Sequence, residues 1–107
     1  MSANVLGLLG ICRRAGKLAV GFDASAAAIK KGVARVVLLA EDVSKKTAKE
    51  LQFLAAGTAL PVLTLPFSKD QVGAALGLEK PVGALAVTDA GFAASFCKQC
   101  HQKEETI

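Results

Sequence analysis

The side chains with the most reactive chemistry in this chain of 107 residues are three cysteines and one histidine. Cys97-Lys98-Gln99-Cys100-His101 has the C-x-x-C-H spacing at which two thiols attach a haem and the histidine binds its iron. Haem attachment also needs export and a second axial ligand. Here the apolar N-terminal stretch precedes its arginines, the reverse of a signal peptide, and the only methionine is Met1. With Cys12 added, the same residues make three Cys and one His, formally a zinc set. Adjacent Cys100 and His101 would strain to bind one ion, and Cys12 also fits an apolar helix stripe. The expectation is two ordinary thiols a helical turn apart, with no metal and no other cofactor. An odd number of cysteines fits a reducing, cytoplasmic compartment.

Catalysis finds little support. His101 is the only histidine and falls in the polar segment 101–107. Ser25, Ser44 and Ser68 sit at or near helix starts with no base beside them, and the neighbouring Glu41 and Asp42 are expected to diverge. Gly7-Leu8-Leu9-Gly10 has no preceding strand and no Gly-Lys-Ser/Thr, so it is not a nucleotide-binding loop. The chain is therefore expected not to be an enzyme.

Anion binding is better supported. Residues 7–32, GLLGICRRAGKLAVGFDASAAAIKKG, combine a glycine turn that opens a helix with surrounding cations. Amides at a helix start are unpaired and partly positive, and glycine lets an anion approach the backbone. The formal charge of +4 is uneven: residues 1–49 hold nine Lys and Arg against three acids. Residues 50–107 hold four bases against six acids. A basic half points to a polyanion such as nucleic acid. The longest uncharged run, Leu51 to Ser68, is broken by Gly57, Pro61 and Pro66, so no membrane span is expected.

Those residues must be positioned by alternating elements. Val5, Leu8, Leu9 and Cys12 follow a helical period that stops at Gly16. A strand at Leu18–Val20 leads through Gly21 to a second helix, with Asp23 expected as its N-cap, running to Lys31 and ending at Gly32. Arg35–Ala40 is a buried strand, and Ser44 caps a third helix that runs to about Ala56. Pro61–Leu65 is the third strand. Ser68-Lys69-Asp70-Gln71 is a capping box for a short helix ended by Gly77. Val82–Thr88 is the fourth strand, and Asp89 caps a last helix that carries Phe92, Phe96 and Cys97. The order αβαβαβαβα predicts one domain over residues 1–100, a three-layer α/β/α sandwich around a small mixed sheet, followed by a polar tail at 101–107.

Three of these stretches, CRRAGKLAVG, LLAEDVSKKT and VGAALGLEKPVGALAVTDAGFA, resemble the ribosomal L-seven-Ae / L-thirty-e family, and most closely its small bacterial YlxQ-like branch. The similarity runs from about Val5 to Phe96. It implies an α/β/α sandwich that binds structured RNA, typically kink-turns, through three places. Carried onto this chain, these are the turn Gly21-Phe22-Asp23 and onward to Ala27, the loop Glu41-Asp42-Val43, and the segment Glu79-Lys80-Pro81-Val82-Gly83 to Ala84. Family members that bind RNA most strongly follow the glycine with a hydroxyl residue, an Asn-Glu pair and then a helical Lys. The matching positions here are Phe22, Asp23, Ala24 and Ala27, which lack those donors and that cation. Backbone amides, Arg13, Arg14, Lys17, Lys30 and Lys31 are expected to supply the remaining contacts.

The function expected from the sequence is that of a non-catalytic, monomeric protein. It recognises structured RNA, a kink-turn or related bent element with ribosomal RNA among the candidates, in a ribosome- or translation-associated role. The alternative is a protein-interaction module that keeps the fold and uses Phe22 with the loop around Pro81.

Overall fold

The computed structural model describes residues 2–105, with side-chain surroundings for residues 5–99. Nine elements alternate: α1 (Ser2–Arg14), β1 (Leu18–Val20), α2 (Phe22–Lys30), β2 (Val36–Leu39), α3 (Lys45–Ala56), β3 (Val62–Thr64), α4 (Lys69–Ala75), β4 (Ala84–Val87) and α5 (Ala90–Glu105). The expected order is present, with β1 as expected and β2, β3 and β4 trimmed by a residue or two at their ends. The backbone of α5 continues through residues 101–105. Residues 106 and 107 lie outside the described part, as do the side chains of Cys100 and His101.

Local chemistry accounts for most element ends. Ser44 Oγ accepts from Thr47 N–H at 3.2 Å. Ser68 and Gln71 exchange side-chain and backbone hydrogen bonds at 3.1 and 2.9 Å, closing the capping box. Asp89 Oδ2 accepts from Phe92 N–H at 2.9 Å. Both α1 and α2 end in a left-handed glycine, Gly16 and Gly32, followed by a bond from the next amide back to the last turn, Lys17 to Cys12 and Val33 to Ala28.

The sheet order is β1-β4-β2-β3. β4 is antiparallel to both neighbours, and β2 and β3 are parallel. The last strand in the chain is thus an inner one, and the three-residue strands β1 and β3 form the edges. Alternation along β2 and β4 makes two cores. Val36, Leu38, Leu85 and Val87 face Val5, Leu9, Val72 and Phe96 of α1, α4 and α5. Val37, Leu39, Ala84 and Ala86 face Ala26, Ala28, Ile29 and Leu51 of α2 and α3. The second face of β4 is all alanine, which lets the alanine-rich α2 lie close upon it. Cys12 is fully buried in the first core, and its thiol donates to Lys17 O at 3.4 Å. Burial first, and the nearby Asp89 carboxylate second, push the Cys12 thiol up to about 11.

Candidate nucleic-acid interface

Strand direction decides which loops meet. β1 and β2 run toward the edge of the sheet from which β4 starts, so the β1–α2 turn, the β2–α3 loop and the α4–β4 loop all open there. Backbone bonds hold them together. Gly21 N–H donates to Ala84 O, and Ala40 N–H donates to Gly83 O, both at 2.9 Å.

Gly21 is the hinge of the first loop. Its φ of 95° and ψ of 168° extend the ladder by one bond and then swing the chain directly into α2. That moves the helix start ahead of the expected cap. Gly21 is the N-cap, with no side-chain capping bond, and Asp23 is an exposed residue of the first turn. Its carboxylate favours the helix dipole without holding an amide. The first amides of α2 therefore have no intrahelical partner and no side-chain cap.

Asp42 organises the second loop. Its Oδ1 accepts from Lys69 N–H at 2.8 Å, pinning the start of α4 beside the end of β2. Glu41 N–H donates to Phe67 O at 2.8 Å, leaving the Glu41 side chain exposed, and Val43 is half-buried against the second core.

The third loop is a strap lying back along α4. Leu78 N–H reaches Gly73 O and Val82 N–H reaches Lys69 O. At Gly73 a β-carbon would run into the Lys80 carbonyl, so glycine is required there. Val82 is buried in the first core, whereas Glu79, Lys80 and Pro81 are exposed. A β-carbon on Gly83 would lie 3.1 Å from Val43 Cγ2 and 3.4 Å from Lys69 Cδ, so the second and third loops are in contact there. Lys69 reaches this edge by its aliphatic stem, and Lys45 and Lys46 start α3 beside it. The sequence signal was a lysine directly after a helix N-cap, Lys45 after Ser44 and Lys69 after Ser68.

The other expected cations stand elsewhere. α2 runs away from the loop edge, which carries Lys30 and Lys31 about 14–15 Å from Gly21 at a rise of about 1.5 Å per residue. Lys30 lines a groove between α2 and α3 with Phe22, Ala26, Lys49 and Phe53, and Phe53 is 79% exposed. Lys17 lies at the far end of β1, where its carbonyl accepts from Thr88 N–H. Arg13 and Arg14 close α1 next to it, and Arg13 Nη1 donates to Leu76 O at 3.1 Å. The cations expected to contact RNA thus stand in different places: Lys80 in the third loop, Lys30 in the groove, and Arg13, Arg14, Lys17 and Lys31 toward the opposite end of the sheet. Among the described residues no group of His, Cys, Asp and Glu is placed to hold a metal, and no helix is long and apolar enough to cross a membrane.

The fold defines a class: an α/β/α sandwich in which three loops converge at one end of a mixed sheet. Residues 3–97 match the ribosomal protein L7Ae/L30e/S12e/Gadd45 family, and the chain belongs to it. Among curated relatives, the RNA-binding protein YlxQ of Enterococcus faecium is 32% identical over 90 residues, 84% of either chain. The large ribosomal subunit protein eL30 of Pyrobaculum neutrophilum is 30% identical over 83 residues, 78% of this chain and 82% of its own. A solved Bacillus halodurans protein described as of unknown function superposes with a TM-score of 0.80 at 29% identity, over 87% of this chain and 92% of that one. The Giardia lamblia 15.5kD RNA binding protein superposes with a TM-score of 0.76 over 94% of this chain and 88% of its own. At 17% identity that likeness speaks for the fold alone.

Proposed function

We propose that this protein binds structured RNA through the three-loop edge, with a kink-turn or similarly bent element as the preferred form. In this reading it acts without chemistry, as a monomeric, cytoplasmic, ribosome- or translation-associated factor. The observation that carries the reading is the convergence of the three loops around an uncapped helix start. The free amides of α2 suit phosphate or base acceptors, and Gly21 leaves them uncovered. Pro81 gives an exposed, rigid apolar surface for an unstacked base, and Lys45, Lys46, Lys69 and Lys80 add salt-dependent attraction. Ala24 and Ala27 offer no side-chain donor, so recognition rests on backbone and shape. The RNA-binding name of the Enterococcus relative and the ribosomal name of the Pyrobaculum relative agree with this class of partner.

The test titrates a kink-turn RNA and a straight duplex of equal length at several salt concentrations. A preference for the kinked RNA that persists at high salt is expected. Equal, steeply salt-dependent binding to both would reduce the function to non-specific attraction, and binding to neither would remove it.

The groove between α2 and α3 favours a second reading, a protein-binding site, because Phe53 is exposed beside the half-buried Phe22. Loss of a protein partner in Phe53→Ser with RNA binding unchanged would select it.

A further inference from the structure

Apart from Lys30 in the groove, the expected cations that the fold carries away from the loop edge gather in one place. Both α1 and α2 end at the opposite side of the sheet, where β1 and β2 begin and β4 finishes. Two separate stretches of chain, residues 13–17 and 31–35, bring Arg13, Arg14, Lys17, Lys31 and Arg35 there, all exposed. Two backbone bonds fix the span: Thr88 N–H donates to Lys17 O, and Arg35 N–H donates to Val87 O. Lys17 and Arg35 therefore flank the end of β4 on its two sides, about 10 Å apart at ordinary strand spacing. The acid at this end is Asp89, half-buried and engaged with the Phe92 amide. The loop edge is different, mixing Asp23, Glu41, Asp42 and Glu79 with its lysines.

We propose that this basic end is a second nucleic-acid face, one that grips the backbone of an RNA duplex without sequence choice. One copy of the protein then joins the RNA held at the loop edge to a neighbouring helix. The chemistry fits a duplex backbone. A nucleic-acid duplex carries a negative charge every few ångströms along its axis, about 1.7 Å in DNA, so a patch about 10 Å wide meets several phosphates. Val33 is exposed between Lys31 and Arg35, but no aromatic side chain is exposed among these five cations to stack on a base. Part of their role is local: Arg13 and Arg14 lie at a helix C-terminus, where cations are favourable. That role does not extend to Arg35, which precedes a strand.

This second face rests on the reading of RNA as the partner, but it does not need the loop edge to prefer kinks. The test compares the wild-type chain with the fourfold variant Arg14→Gln, Lys17→Gln, Lys31→Gln and Arg35→Gln. A charge-keeping set, Arg14→Lys, Lys17→Arg, Lys31→Arg and Arg35→Lys, controls for structure, and melting curves check folding of all three. For a straight RNA duplex, the glutamine variant should bind at least tenfold more weakly. Its slope of log affinity against log salt should fall by about 0.9 for each phosphate it no longer neutralises. The charge-keeping set should match wild type. On immobilised kink-turn RNA, wild type should retain a second, labelled duplex and the glutamine variant should not. Loss of kink preference with the charge-dependent duplex binding intact would sink the loop-edge reading and leave this one standing. Wild-type affinity and slope in the glutamine variant, or no retained duplex with wild type, would overturn the second face. So would charge-dependent binding to phosphatidylserine vesicles with none to the duplex.

Discussion

At the residue scale, two positions make sharp demands. Gly21 holds a φ of 95° and a ψ of 168°, a region open to glycine and strained for any side chain by roughly 1–3 kcal/mol. Gly21→Ala should lower the free energy of unfolding by an amount of that order and weaken RNA binding more than an exposed change such as Ala24→Ser. Titrations of both variants check this. Cys12 makes a pH prediction. Its thiol is held protonated up to about 11 in the folded chain and titrates earlier when unfolded. In alkali the unfolded chain loses this proton first. Stability is therefore unaffected by this group below about pH 9, then falls, by on the order of 2 kcal/mol, as the pH approaches 11. Comparing denaturation of wild type and Cys12→Ala at pH 7, 9 and 10.5 isolates the effect, since the variant lacks this part of the decline. The sequence placed Cys12 on an apolar stripe, and its burial agrees. Asp23 was misjudged, because a glycine able to turn inside the sheet ladder starts the helix two residues before the carboxylate could cap it.

At the element scale, packing of α2 on β4 depends on small residues facing one another. Ala26 and Ala28 of the helix meet the side of β4 that carries Ala84 and Ala86, and Ala86 is fully buried. Ala86→Leu should push α2 from the sheet and cost about 1–3 kcal/mol. Because Ala84 is bonded to Gly21, RNA binding should weaken with it. Thermal melts and a kink-turn titration of the same variant test both halves. Element identities were legible in the chain because caps and stops are local: Ser44, Ser68 and Asp89 each bond an amide three residues on. The neighbours of each strand were not legible. Placing β4 between β1 and β2 depends on contacts between residues far apart in sequence, and no local pattern near Ala84 encodes them. Asp42 shows the same limit, since its partner Lys69 is 27 residues away.

At the scale of the whole molecule, the excess of positive charge in residues 1–49 was visible in the sequence, but its division between two ends was not. Helices and strands that alternate in direction carry residues only a few positions apart to opposite sides of the sheet. Gly21 and Lys31 are the clearest pair, joined by one helix and facing different ends. The glutamine variant described above tests this division directly, since it should change duplex binding and leave a preference for kinked RNA in place. The inner position of β4 also orders events in time. β1 pairs with β4 and with no other strand, so residues 18–20 have no ladder to join until residues 84–87 have been made. On a translating ribosome the first strand must wait for the last, and the loop edge, which needs both, forms only when synthesis has passed Val87. A nascent chain halted before that point would have no assembled surface with which to capture RNA.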